Sequence, residues 1–149
     1  MNDVASSSRE RPIPMTKVCF ALILALTCLA CDHGVDPIRP IQAGDYVGTF
    51  SIRSENGTTQ SGLVTFRFRA NTYSCIPEKV YLPPSGGGSY RLGDKSLTLT
   101  DTVMHTAEFD WTLILNGDFT YSNDGEKITL IQNDTAHRRY RTIELTLDR

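Results

Sequence analysis

The chain has 149 residues, 40% hydrophobic and 21% charged, with 15 Lys and Arg against 17 Asp and Glu. That is enough for one domain with one core and too little for two. A formal net charge of -2, which becomes 12 Lys and Arg against 15 Asp and Glu from Cys31 onward, excludes the basic surface that nucleic-acid binding needs.

Residues 1–30 come first. Val18 to Ala30 ("VCFALILALTCLA") is uncharged and almost wholly apolar. As a helix it would reach roughly 20 Å, against a hydrocarbon core of about 30 Å, so it is too short to span a bilayer. Lys17 precedes it and compact residues close it, which is the anatomy of a signal peptide and makes Met15 the expected start. The competing assignment, a buried core helix, lacks a second helical stretch to pack against.

The run ends in Cys28-Leu29-Ala30-Cys31, which resembles the lipobox of bacterial lipoproteins, with Cys28 where that family prefers Leu. The resemblance implies cleavage after Ala30, lipid on Cys31 and a place in the bacterial cell envelope, anchored to a membrane. Cys28 as the lipidated residue would put Thr27 at the cleavage position, a poorer fit. Asp32, next to the lipidated cysteine, retains such proteins at the inner membrane in some lineages and not in others. Two or more acyl chains anchor stably where one does not. Residues 31–43 then read as the lipidated cysteine and a tether: the segment "DHGVDPIRPIQA" has two prolines and no apolar period, and extended it would reach roughly 37 Å. With Cys19 and Cys28 removed and Cys31 modified, Cys75 is left alone. A small buried side chain on a strand is the expectation for it, since no histidine or basic cluster adjoins it to lower its pKa.

From residue 44 to 149 the period is two. "YVGTFSIR" alternates Tyr46, Gly48, Phe50 and Ile52 with Val47, Thr49, Ser51 and Arg53, and "LVTFRFRA" sets Val64, Phe66 and Phe68 against Thr65, Arg67 and Arg69, whose arginines should face water. Shorter strands are expected at "TYSCI", "SYRLG", "SLTLTD", "WTLILNG", "DFTYSN", "KITLIQN" and "RYRTIELTLD". Turn signals fall at Asn56-Gly57, Gly93-Asp94, Asn116-Gly117, Asp124-Gly125 and Asn133-Asp134. Short strands without crossover helices predict an all-β fold, an antiparallel meander of about eight strands closed into a barrel, because an open sheet would leave two long edges. The break is "IPEKVYLPPSGGGS": Pro83, Pro84 and Gly86 to Gly88 predict a long loop there, either a plain connection or a functional mouth. The inward residues expected are Phe50, Phe66, Phe68, Tyr90, Trp111 and Phe119.

Gly44-Asp45-Tyr46 stands where lipocalins carry Gly-x-Trp on their first strand, and "DWTLILNGDFTYS" with "KITLIQ" and a final long strand resembles the closing meander of lipocalin-like envelope lipoproteins. With such a barrel, one expectation is a binding module whose interior, or whose mouth near Pro83 to Gly88, holds a small apolar or amphipathic ligand; Tyr46, Pro83, Pro84, Tyr90 and Trp111 are the residues it would meet. The alternative is a solidly packed barrel acting as a protein-interaction or inhibitor module on another envelope protein.

No catalytic constellation is expected. His105, Glu108 and Asp110 in "MHTAEFDW" are residue types that ligate metals or move protons, but on a strand His105 and Glu108 would point to opposite faces, so a solvated loop is the expectation. His33 falls in the tether, and His137 in a turn beside Arg138 and Arg139. There is no Gly-x-Ser-x-Gly elbow, and "SGGGS" lacks the Lys-Ser/Thr ending of a phosphate loop. Neither metal nor cofactor is called for.

Overall fold

The alternation read from the sequence becomes eight strands in the computed structural model, which describes residues 39–149. They are β1 (Gly44–Ser54), β2 (Thr59–Arg69), β3 (Thr72–Pro77), β4 (Gly86–Leu92), β5 (Ser96–Asp101), β6 (Gly117–Asn123), β7 (Lys127–Asp134) and β8 (Arg139–Leu147). Each pairs antiparallel with its neighbours in chain order, and β1 pairs with β8 from Tyr46↔Leu147 to Ser54↔Arg139, closing the barrel. The apolar run expected to be a signal peptide, Cys31 and His33 lie outside the described residues.

Every strand but β4 buries one phase. Phe50, Phe66, Phe68, Leu97, Leu99, Leu130, Ile143 and Leu145 are fully buried, and Phe119 nearly so. The aromatic rings pack on one another: Phe66 stacks on Phe68 and on Tyr73 with centroids 5.7 and 6.1 Å apart, while Tyr46 and Tyr90 meet Phe68 edge-on. Eight strands leave an interior just wide enough for such side chains, and here they fill it. Outside, Arg67 and Arg69 face water as expected and share Asp45, whose carboxyl they hold down to about 2 through hydrogen bonds first and charge second.

Turn chemistry sets the hairpins. Gly57 and Gly125 take the left-handed conformation (φ +85° and +102°). The Asp124 carboxylate accepts from the amides of Glu126 and Lys127, fixing the β6–β7 turn. Asn133-Asp134 differs from expectation: the pair ends β7, and the turn falls on the next four residues, closed by Arg138 N donating to Thr135 O.

Three further expectations are corrected. Gly86 to Gly88 do not lie in a loop but begin β4. A Cβ at Gly88 would fall 2.0 Å from Thr100 O, and one at Gly87 2.9 Å from Tyr73 O, so glycine permits the close approach of neighbouring strands instead of forbidding a strand. "WTLILNG" is not a strand: Trp111–Leu113 is a 3-10 turn, capped by the Asp110 carboxylate accepting from Thr112 N. The tether does not run free to residue 43. Ile41 packs on the core, Tyr121 and Tyr46 donate their hydroxyls to Arg39 O and Gln42 O, and Asn123 Nδ2 donates to Pro40 O. Residues 39–43 therefore enter at the barrel end that carries the β2–β3, β4–β5 and β6–β7 turns.

Candidate functional site

The other end of the barrel carries the two long connections, residues 78–85 and 102–116, beside the β1–β2 and β7–β8 turns. The second connection folds back over the opening as a lid. Leu115 is buried and Leu113 packs on the core, and Tyr73, inside the barrel, donates its hydroxyl to Leu115 O at 2.9 Å.

Two inward charges hold the lid. Asp101 follows Leu97 and Leu99 in phase at the end of β5; its carboxylate accepts from Val103 N at 2.8 Å and Gly87 N at 3.3 Å, and its Oδ1 lies 3.2 Å from His105 Nε2. Both side chains of the His105 and Asp101 pair are buried. On β8, Arg141 precedes Ile143 and Leu145 in phase and is only 3% exposed. Its guanidinium donates to Thr112 O, to Gln132 Oε1 and, at 2.7 Å, to Asp134 Oδ2, leaving Nε without a partner. Burial pushes the Asp134 carboxyl up, but hydrogen bonds from His137 and the Arg141 charge outweigh it and hold the group below its ordinary value. Asp110 is likewise lowered, first by the Thr112 hydroxyl and then, against burial, by Arg139, whose Nη1 lies 2.8 Å away.

On this scaffold stands a cluster of rings. Tyr81 from residues 78–85 stacks on Phe109 at 5.2 Å and 17°, Phe109 stacks on Trp111 at 6.2 Å and 9°, and His105 meets both edge-on. Trp111 is 54% exposed and Met104 97% exposed, and Val80, Tyr81 and Val103 also face solvent. Tyr81 keeps a left-handed backbone (φ +65°) that asparagine or glycine would adopt more cheaply.

The ligand residues expected from the sequence do not form one group. Tyr46 is buried and Tyr90 part-buried at the end where residues 39–43 enter, Tyr90 donating to Ala70 O. Pro83 and Pro84 are buried under the opposite end, following a cis Leu82–Pro83 peptide. Trp111, expected inward, lies on the surface because its segment turns rather than extends. Of the "MHTAEFDW" residues, His105 is not solvated but buried against Asp101, Glu108 is exposed and Asp110 caps the turn. Among the described residues no group of His, Cys, Asp and Glu is arranged to hold a metal. Cys75 is buried on β3, its thiol pushed up to about 12 by burial and then by the Asp101 charge. His137 is exposed and bonds to Asp134. Asp101 and Arg141 were not singled out from the sequence, although each is a charge in phase with an apolar strand face, which is the signal that finds them.

The chain matches no protein-family model, no curated protein and no solved structure.

Proposed function

We propose that this chain is a membrane-anchored protein-interaction module of the bacterial envelope, held by lipid on Cys31, which presents its aromatic lid to another envelope protein as an inhibitor or assembly subunit. The observation that carries the reading is a filled barrel with large apolar side chains displayed on a lid tied down by buried hydrogen bonds. Exposed aromatic residues and Met on a rigid support match the composition of interface cores, because their area is buried with little loss of rotamer freedom. The packing of the inward side chains on one another favours this reading over a ligand held in the interior. The lid lies at the end of the barrel opposite the one where residues 39–43 enter.

The test is site-specific photo-crosslinking in cells that make the full chain. A photoreactive residue at Met104 should give a defined protein adduct that disappears in the Trp111→Ala background. The same probe at Leu63, on the barrel wall, should not. Adducts from Leu63 alone, or from Met104 regardless of Trp111, would overturn the lid as the contact surface. Cys31→Ser should abolish acyl labelling and release the chain from membranes, and unchanged labelling would overturn the anchor.

A further inference from the structure

Next to the lid, between the β1–β2 and β7–β8 turns, lies an open cleft of about 700 Å³. Arg53, Arg138 and Arg139 line it against a single carboxylate, Glu55, with Ser54, Asn133 and Tyr140 supplying hydrogen-bonding groups. The ways these three arginines are held differ. Arg53 lies 5.6 Å over the Tyr140 ring and makes no ion pair among the described residues. Arg138 pairs with Glu55 at 3.0 Å, but both side chains are well exposed, and an ion pair in water contributes little and exchanges readily. Arg139 reaches across the rim to Asp110, the residue before Trp111, so cleft and aromatic lid form one surface. Arg138, which lines the cleft, holds φ +54°, a conformation that disfavours a side chain with a Cβ.

An excess of guanidinium with hydrogen-bonding neighbours calls for carboxylate, the planar anion that arginine grips in two places. We propose that the cleft reads an acidic residue of the partner protein, next in sequence to an apolar residue that packs on Trp111. The inference rests on the interaction reading and adds the chemistry of the partner: an exposed segment in which Asp or Glu adjoins a large apolar side chain. The acid would displace Glu55 from Arg138 and pair with Arg53, which would give the contact an on-rate that falls with salt.

The probe is a displayed library of short random peptides, selected on the full chain. Selected peptides should carry Asp or Glu within one or two positions of a large apolar residue. Their synthetic versions should bind the Arg53→Gln/Arg138→Gln variant about tenfold more weakly, the loss expected for roughly 1.4 kcal/mol of charge pairing. Both substitutions are on exposed side chains, and an unchanged thermal unfolding midpoint will verify the fold. Peptides without acidic preference, or acidic peptides that bind the variant as well as the native chain, would overturn the inference. So would inorganic phosphate competing as well as the peptides do, which would make the cleft a general anion site. Apolar peptides lost on Trp111→Ala but indifferent to the arginines would leave the interaction reading standing without this one. A selection giving nothing dependent on Trp111 would remove both.

Discussion

Arg141 and Asp134 show what a charge inside a barrel requires. The guanidinium is held at the mouth by a carboxylate, a side-chain amide and the carbonyl of Thr112, so it links β7, β8 and the lid. Removing the carboxylate leaves an unpaired buried cation. Asp134→Ala should therefore cost roughly 3 kcal/mol, measured by chemical denaturation at pH 7. Because the folded state lowers the Asp134 pKa, its stabilisation is complete above the ordinary value of 3.8 and is lost as pH falls below it. The difference between native and variant should thus shrink in acid, and a difference that stayed constant down to pH 2 would show that the ion pair is not its source. Trp111 and Phe66 make the opposite contrast. Phe66 is fully buried, so Phe66→Ala should cost about 3–5 kcal/mol. Trp111 is more than half exposed, so Trp111→Ala should cost under about 1 kcal/mol. The alternation of β2 made Phe66 legible in the sequence. "WTLIL" also reads as apolar strand, and what defeats that reading is one hydrogen-bonding side chain, Asp110, which caps a turn instead.

The lid is the element whose existence the sequence concealed. Its residues carry no period, and apart from Asp101, which directly precedes it, its order comes from groups far away in the chain: Tyr73 on β3, Gln132 on β7 and Arg141 on β8. Local pattern cannot announce such partners, although the in-phase charges at 101 and 141 are visible once the strands are drawn. The glycine run misled for a related reason. Gly86 to Gly88 look like a flexible linker until Thr100 and Tyr73 are seen pressing on them. Asp101 anchors only the first half of the lid, through Val103 N and His105. Asp101→Ala should speed amide exchange across residues 102–110 by about tenfold, equivalent to roughly 1.4 kcal/mol of lost anchoring, while Leu130 and Ile143 keep their protection. Accelerated exchange in those two core residues as well would mean that the lid and barrel open together and that Asp101 supports the whole fold.

Closure is the property of the whole molecule, and the sequence did announce it, through evenly spaced strands with hairpin turns and no helix to cover an edge. What it could not show is where the first and last strands meet. The seam runs through Gly48, opposite Leu145 on β8 and Val64 on β2. A Cβ there would fall 1.8 Å from Glu144 O and 2.9 Å from the Leu145 Cα, so β1 and β8 approach more closely at this point than any side chain allows. Gly57, in the β1–β2 turn, is the control: nothing lies within 4 Å of its Cβ position, and only its φ of +85° resists substitution. Gly57→Ala should cost about 1–2 kcal/mol, the penalty of a left-handed conformation. Gly48→Ala meets backbone, which cannot rotate away as a side chain can, so the seam must widen; the cost should be about 3 kcal/mol, at the upper end of overpacking. A widened seam also frees the ladders of β1 and β8, turning a barrel without edges into a sheet with two. The Gly48 variant should therefore scatter light on mild heating at concentrations where the equally folded Gly57 variant stays clear. Equal unfolding midpoints for the two, with neither aggregating, would mean that β1 and β8 do not close the barrel at this position.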